Sequence, residues 1–291
     1  MKGLITDILH ERRTILSFEV FPPKKADDSN LNAIFNAIKK LSRLKPDFIS
    51  VTYKTRGRNK KRAIDISEFI RKNGIIPLSH LTAVGYSKDD VLKILDEFYQ
   101  VGVRNILALR GDIDKGISYG KGTWKDFKYA KDLIEFIKSD GRFCIGAATY
   151  PEGHVECKDV DKTIDHLGQK SYAGVDFFIT QLFFDNQVYY RFLNKAMRAG
   201  INKPIIPGVM PVLRAGQIKK MVRLSGASVP NELNKLLDRY GEDTGSMRKA
   251  GIEYAARQID DLLSNGVKGI HLYTMNKARS VIEIVKQVSL R

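Results

Sequence analysis

Short apolar, often β-branched runs recur along the chain roughly every 25–35 residues: "ILSFEVF" (15–21), "DFISVTY" (47–53), "IIPLSHLTA" (75–83), "NILALRGD" (105–112), "FCIGAATYP" (143–151), "FFITQLFFD" (177–185), "IIPGVMPV" (205–212) and "GIHLYTMN" (269–276). Eight near-continuous apolar strands are what a parallel sheet with a covered outer face requires. Amphipathic helical patterns lie between them. In "DDVLKILDEFYQVG", Val91, Leu92, Leu95 and Phe98 share one face. The helices end on a repeated signal, "KNGII", "QVGVRNI", "YAGVDFF", "RAGINKPI" and "SNGVKGI": a glycine, a turn of two or three residues, then a strand. This repeated strand–helix unit predicts an α/β fold, a (β/α)8 TIM barrel. A doubly wound open sheet is the runner-up, disfavoured because no GxGxxG follows the first strand. Residues 227–250 read as an extra helical insertion before the last barrel helix. With no linker visible, residues 1–291 are expected to form one domain.

Composition narrows the class. The chain has 291 residues, 43% of them apolar, and no apolar run near the ~20 residues that span a bilayer. The start, "MKGLITDILHERR", has no secretory apolar region. Cys144 and Cys157 form no CxxC pair, so neither a disulfide framework nor a zinc site is expected. The expectation is a cytoplasmic protein with no membrane partner. The net charge of +16 favours anionic partners, whether nucleic acid, a phosphorylated cofactor or a polycarboxylate substrate. Most lysines are scattered over helical faces. The exception is "KTRGRNKKR" (54–62), where six of nine residues are basic; following the second strand, it is expected on the active-site rim, drawing an anionic folate tail or cofactor phosphates, or else as solvated charge.

In a barrel, chemistry gathers where the strands end. The strand ends here carry Glu19, Thr52, His80 with Thr82, Arg110-Gly111-Asp112, Tyr150 with His154, Gln181 with Asp185, Pro211, and Tyr273 with Asn276. No metal-ligand spacing, nucleophile elbow or strand-end lysine stands among them. Acid catalysis by a buried carboxyl remains, with binding of something aromatic and phosphorylated. Glu19, set among Phe18, Val20 and Phe21, is the candidate acid, because an ionised carboxylate in apolar surroundings is costly.

The motifs "SFEVFPPK", "SVTY", "HLTA", "ALRGD", "ATYPEGH", "ITQLFFD", "IPGVMPV" and "YTMN" resemble, in order and spacing, the strand-end signatures of the methylenetetrahydrofolate reductase family, over about residues 14–285. The resemblance implies a flavoprotein barrel without the regulatory domain of eukaryotic relatives. It implies reduction of 5,10-methylenetetrahydrofolate to 5-methyltetrahydrofolate through bound FAD, with NADH or NADPH reloading the flavin in a ping-pong cycle. It gives Glu19 the role of general acid and places Asp112 beside the flavin and pterin. It assigns flavin contacts to Thr52, Tyr53, His80, Leu109, Arg110, Gly111, Asp112, Ala130, Tyr150, His154 and His166. Lys170 falls at the FAD pyrophosphate. Gln181, Gln217 and Lys277 fall on the folate, with Glu19 and Asp112.

Several positions depart from the family pattern. Lys54 replaces a glycine after "VTY". Thr163, His166 and Gln169 stand where relatives often carry an Asp, a polar or aromatic residue and a basic residue, which touches the adenosine side. Lys277 stands for an arginine, keeping the charge without the planar fork. Met221 occupies the place of a stacking aromatic. Two readings from other classes stand beside this one: a nucleic-acid-binding barrel, though interleaved surface aromatics are not evident, and a subunit fed by an electron-transfer partner. A homo-oligomer is also compatible with the sequence.

Overall fold

The computed structural model describes residues 3–11, 13–23, 28–53, 59–111 and 124–289. After α1 (Ile5–Leu9), strand and helix alternate: β1 (Ile15–Val20), α2 (Asp28–Ser42), β2 (Phe48–Val51), α3 (Asn59–Lys72), β3 (Ile76–Thr82), α4 (Lys88–Gln100), β4 (Asn105–Leu109), α5 (Ala130–Asp140), β5 (Cys144–Thr149), α6 (Val160–Tyr172), β6 (Phe177–Thr180) and α7 (Asn186–Arg198). The seventh run is split into β7 (Ile205–Ile206) and β8 (Gly208–Val209). Then come α8 (Ala215–Ser225), α9 (Asn231–Tyr240), α10 (Thr244–Ser264), β9 (Gly269–Tyr273) and α11 (Ala278–Gln287). The inserted stretch is helical, holding α9 and the start of α10. The helix α10 leads back to β9, and α11 follows it.

The strands form one sheet in the order β7-β6-β5-β4-β3-β2-β1-β9-β8, every pairing parallel. The two end strands of that order are one stretch of chain interrupted at Pro207, so the sheet curls into a barrel that closes through it. The break has a local cause. Proline has no N–H to give a ladder, and the Gly208 N–H donates to the Thr180 hydroxyl at 2.8 Å instead of to a main-chain carbonyl. Among the described residues the eight expected runs thus give nine short strands, the seventh run supplying two, and each strand ends sooner than its apolar run.

Alternation sorts the strand residues. Leu16, Phe18 and Val20 of β1, with Ile49, Val51 and Tyr53 from β2 and its exit, join the large core shared with the helices. Ile15, Phe48, Leu78, Leu107, Cys144, Phe177 and Ile206 form a second cluster inside the barrel, together with Ile5 and Ile8 of α1. Ile15, Phe48, Cys144 and Phe177 each open their strands, so α1 caps the end where the strands begin. Five residues are too few to be helical alone. Burial of Ile5 and Ile8, about 1.5–3 kcal/mol each, and the Asn105 amide hold α1: Ile5 N donates to Asn105 Oδ1 at 2.8 Å, and Asn105 Nδ2 donates to Gly3 O at 2.9 Å.

Above this plug the barrel interior turns polar. Ser17 Oγ lies 2.8 Å from His271 Nδ1, and Ser50 Oγ lies 3.5 Å from His271 Nε2. Burial and the neighbouring His80 push His271 down to about 3, so the ring is neutral. On β1 the inward series therefore runs Ile15, Ser17, Glu19: apolar floor, hydrogen-bonded middle, carboxyl at the mouth.

Candidate active site at the barrel mouth

Glu19 is fixed from its backbone outward. Its strand pairs with both neighbours, opposite Ser50 of β2 and Tyr273 of β9. Beyond the pairing, the exit of β9 stitches the exit of β1. Thr274 Oγ1 donates to Glu19 O at 2.6 Å. The Asn276 amide grips Phe21 twice, accepting from its N at 3.1 Å and donating to its O at 2.9 Å. Met275 and Asn276 adopt left-handed φ of 49° and 56° to do so, a conformation unusual for residues other than glycine and held only where surrounding contacts enforce it.

The Glu19 side chain is 20% exposed and lies 3.6 Å from His80 Nε2, across from the hydroxyl-bearing ring of Tyr273. Removal from water pushes the carboxyl up to about 7. The same burial pushes His80 down to about 3. His80 is already neutral where Glu19 ionises, so the contact is not an ion pair, and at 3.6 Å it is longer than a hydrogen bond. His80 Nε2 is buried and has no hydrogen-bond partner among the described residues. Tyr273 donates its hydroxyl to Thr180 O at 2.7 Å, and burial with the Glu19 charge nearby keeps it protonated. The one titrating proton of this cluster near neutrality therefore belongs to Glu19.

A carboxyl raised by burial stabilises the fold when protonated and costs stability when ionised. Its contribution is complete below the unfolded value, about 4.3, and is lost as pH rises through about 7. Glu19→Gln should remove that loss. Between pH 5 and 8.5 the wild type is expected to lose roughly 3 kcal/mol more than the variant. Chemical-denaturation midpoints at the two pH values check this, and parallel pH profiles would contradict it.

The other sequence-selected residues fall into three groups. A first set sits where β2, β4 and β6 end, at the same end of the barrel as Glu19. Thr52 follows β2, its N–H bonded to Val20 O at 3.1 Å. Leu109 ends β4 and Arg110 follows it, pairing with Glu156 at 2.6 Å. Gly111 needs its φ of +86°, and a Cβ there would meet Val84 at 2.6 Å. Gln181 follows β6 and accepts from Leu182 N at 2.9 Å through its own Oε1.

A second set gathers on the β5 side. Tyr150 and His154 meet edge to face, ring centroids 4.8 Å apart. Lys170, from α6, sits 6.0 Å over the Tyr150 ring and donates to Ala148 O at 2.8 Å. Burial pushes its ammonium down to about 8. Thr149 Oγ1 is buried without a hydrogen-bond partner among the described residues. His166 lies exposed one turn earlier on α6, and Ala130 opens α5.

A third set stands apart. Gln217, on α8, turns back to its own loop, accepting from Leu213 N at 3.3 Å. Lys277 caps the start of α11 and is exposed. Tyr53 is 2% exposed and faces outward, packed on Phe98 with its hydroxyl 3.4 Å from that of Tyr86; only its backbone borders the mouth. Asp112 lies outside the described residues, as do residues 54–58 of the basic stretch.

His271, Thr274 and the clamping role of Asn276 escape a reading of strand ends alone. The signal for His271 was available, because it is two residues before Tyr273 and so shares its inward face. A cavity of about 630 Å³ lies at the opposite end of the barrel, among α1, α6 and α7, bordered by His10, Ser171, Asp176 and Lys203, and takes no part in this cluster. No helix among the described residues is long and apolar enough to cross a membrane. No group of three or more His, Cys, Asp or Glu among them could hold a metal ion.

A family model described as methylenetetrahydrofolate reductase matches residues 4–289. A 5,10-methylenetetrahydrofolate reductase of Pectobacterium carotovorum is 33% identical over 280 residues, covering 96% of this chain and 91% of that protein. Methylenetetrahydrofolate reductase 2 of Schizosaccharomyces pombe is 35% identical over 98% of this chain, which spans 47% of that longer protein. Among solved structures, a Clostridium thermocellum protein described as binding two copies of 5-methyl-5,6,7,8-tetrahydrofolic acid superposes with a TM-score of 0.65 over 98% of this chain and 97% of its own. At 16% identity that likeness concerns the fold.

Proposed function

The chain belongs to the methylenetetrahydrofolate reductase family and is an oxidoreductase; on that premise we propose that it reduces 5,10-methylenetetrahydrofolate to 5-methyltetrahydrofolate with bound FAD and with NADH or NADPH as electron donor, the two substrates taking turns at one mouth. The observation that carries this reading is Glu19, a carboxyl held near 7 beside a neutral imidazole at the end of an apolar strand.

The described residues suit a large polar cofactor. The orphaned His80 Nε2 lies beside Glu19 at the mouth, and Lys170 is a part-buried cation that donates to a carbonyl beside an aromatic face. Thr52, the Tyr53 backbone, His80, Leu109, Arg110, Gly111, Ala130, Tyr150, His154, His166 and Lys170 would hold FAD, with Lys170 at the diphosphate. Bound FAD would supply the hydride that reduces the one-carbon bridge.

The chain's own part is proton chemistry and positioning. With its carboxyl pushed up to about 7 by burial, Glu19 holds a proton near neutrality that it can give to N10 of the substrate, opening the imidazolidine ring. The carboxylate left behind faces the cationic iminium it has uncovered, which offsets the cost of ionising in an apolar site. His80, neutral above about 3, does not compete as an acid. Gln181, Gln217 and Lys277 are the proposed contacts to the folate, and Asp112 completes the set.

Purified protein should show flavin bands in its visible spectrum. NADH or NADPH should bleach them, and methylenetetrahydrofolate should restore them. Protein that takes up no FAD would sink the reading. Bleaching by dithionite but by neither nicotinamide would assign the donor to a partner protein.

A further inference from the structure

A second concentration of charge lies outside the mouth. Between α2 and the start of α11 there is a groove of about 370 Å³, bordered by Lys40 of α2, Arg248 of α10, Lys277 just before α11, and Arg279 and Ser280 of α11. Four of these are cations, three on three different helices and Lys277 at the turn before α11. The carboxylate facing them is Glu283, which accepts from Arg248 at 2.7 Å and Arg279 at 3.0 Å, so the described groove keeps a surplus of positive charge. Four like charges converging on one cavity repel one another, and an anionic occupant relieves that repulsion. Small residues of α2, such as Ala37, leave the floor open to an extended chain.

The groove meets the exit of β1 through one residue. Asn276 borders it and is the residue that grips Phe21, two positions after Glu19. Lys277, next along, stands between the two places. A ligand seated with its reacting end at Glu19 and leaving past Lys277 would enter the groove with whatever it carries behind.

We propose that this groove is a subsite for the poly-γ-glutamate tail of the folate, the oligocarboxylate seated on Lys40, Arg248 and Arg279. The assignment rests on the folate reading above and is separate from the 54–62 stretch. Each exposed charge pair is worth a factor of about 1.5–5 in affinity. Removing two should therefore shrink the tail's advantage roughly 2- to 25-fold, and added salt should shrink it further.

The test uses the full chain and the double variant Lys40→Gln with Arg279→Gln, both exposed positions away from the chemistry. Wild type should show a lower KM for triglutamylated than for monoglutamylated methylenetetrahydrofolate at low salt. The variant should lose most of that gap while keeping the monoglutamate kcat and KM. In parallel, free tetra-γ-glutamate should bind the wild type and bind the variant more weakly, a readout that needs no turnover. Failure of turnover with intact tetraglutamate binding would strike the reductase reading and leave the subsite standing. An unchanged gap with unchanged peptide binding would overturn the subsite. A gap that instead disappears on neutralising Arg56, Arg58, Lys60 and Lys61 would overturn it in favour of the 54–62 stretch.

Discussion

Glu19→Gln is expected to slow reoxidation of the flavin by methylenetetrahydrofolate by roughly 10²–10⁴-fold, the range for loss of a positioned acid, while bleaching by the electron donor stays near the wild-type rate. The separation follows from what each half needs. Hydride passing from a nicotinamide to a ring requires no carboxyl proton. Opening the imidazolidine ring does, and Glu19 is the group whose proton is available near neutrality. Glutamine keeps the size and the hydrogen bonding and cannot supply that proton. The backbone grip of Thr274 and Asn276 is made to main-chain atoms, so the variant should hold its strand in place. Stopped-flow measurement of the two half-reactions decides the matter. Equal loss in both would make Glu19 a shaper of the site. No loss in either would remove it from the chemistry.

Lys170→Ala is expected to weaken FAD binding about 10- to 150-fold, the equivalent of one charge-assisted contact of roughly 1.5–3 kcal/mol. A pH dependence should accompany it. The ammonium is pushed down to about 8 by burial. Below that pH it already carries the charge a diphosphate needs. Above it, binding must take up a proton, and wild-type affinity should fall as pH rises from 7 to 9.5. The alanine variant should lack that component. Titrating apoprotein with FAD across this range gives both results. A variant that retains FAD through dialysis as the wild type does would remove Lys170 from the phosphate.

The eight apolar runs and their glycine-ended helices carried the barrel, because a covered parallel sheet leaves a period of its own in the sequence. Glu19 was legible for the same reason: a carboxyl inside a strand that otherwise reads as apolar contradicts its surroundings. Tyr53 shows where reading by neighbourhood stops. It adjoins Thr52 in sequence, yet adjacent strand residues face opposite ways, and its ring belongs to the outer core with Phe98 and Tyr86. The role of α1 as a plug was not legible, since five residues carry too little periodicity to declare a buried face. Nor was the grip of Asn276 on Phe21, which joins residues 255 positions apart and depends on how the barrel closes.

That closure also sets how the molecule breathes. Every other seam of the sheet is a ladder of four or five register pairs, whereas β6–β7 and β8–β9 have two each. A ring opens first at its shortest ladder. The amides of Ile205, Ile206, Gly208 and Val209 should therefore exchange with deuterium before those of β1 to β5. Gly208 sits in this seam, so close to Thr180 O and the Tyr273 ring that a Cβ would come within 2.5 and 2.6 Å of them. Tyr273 in turn is the register partner of Glu19. The break at Pro207 thus puts the loosest stitch of the barrel one strand away from its acid, and a ligand that spans the mouth should be felt there as slowed exchange.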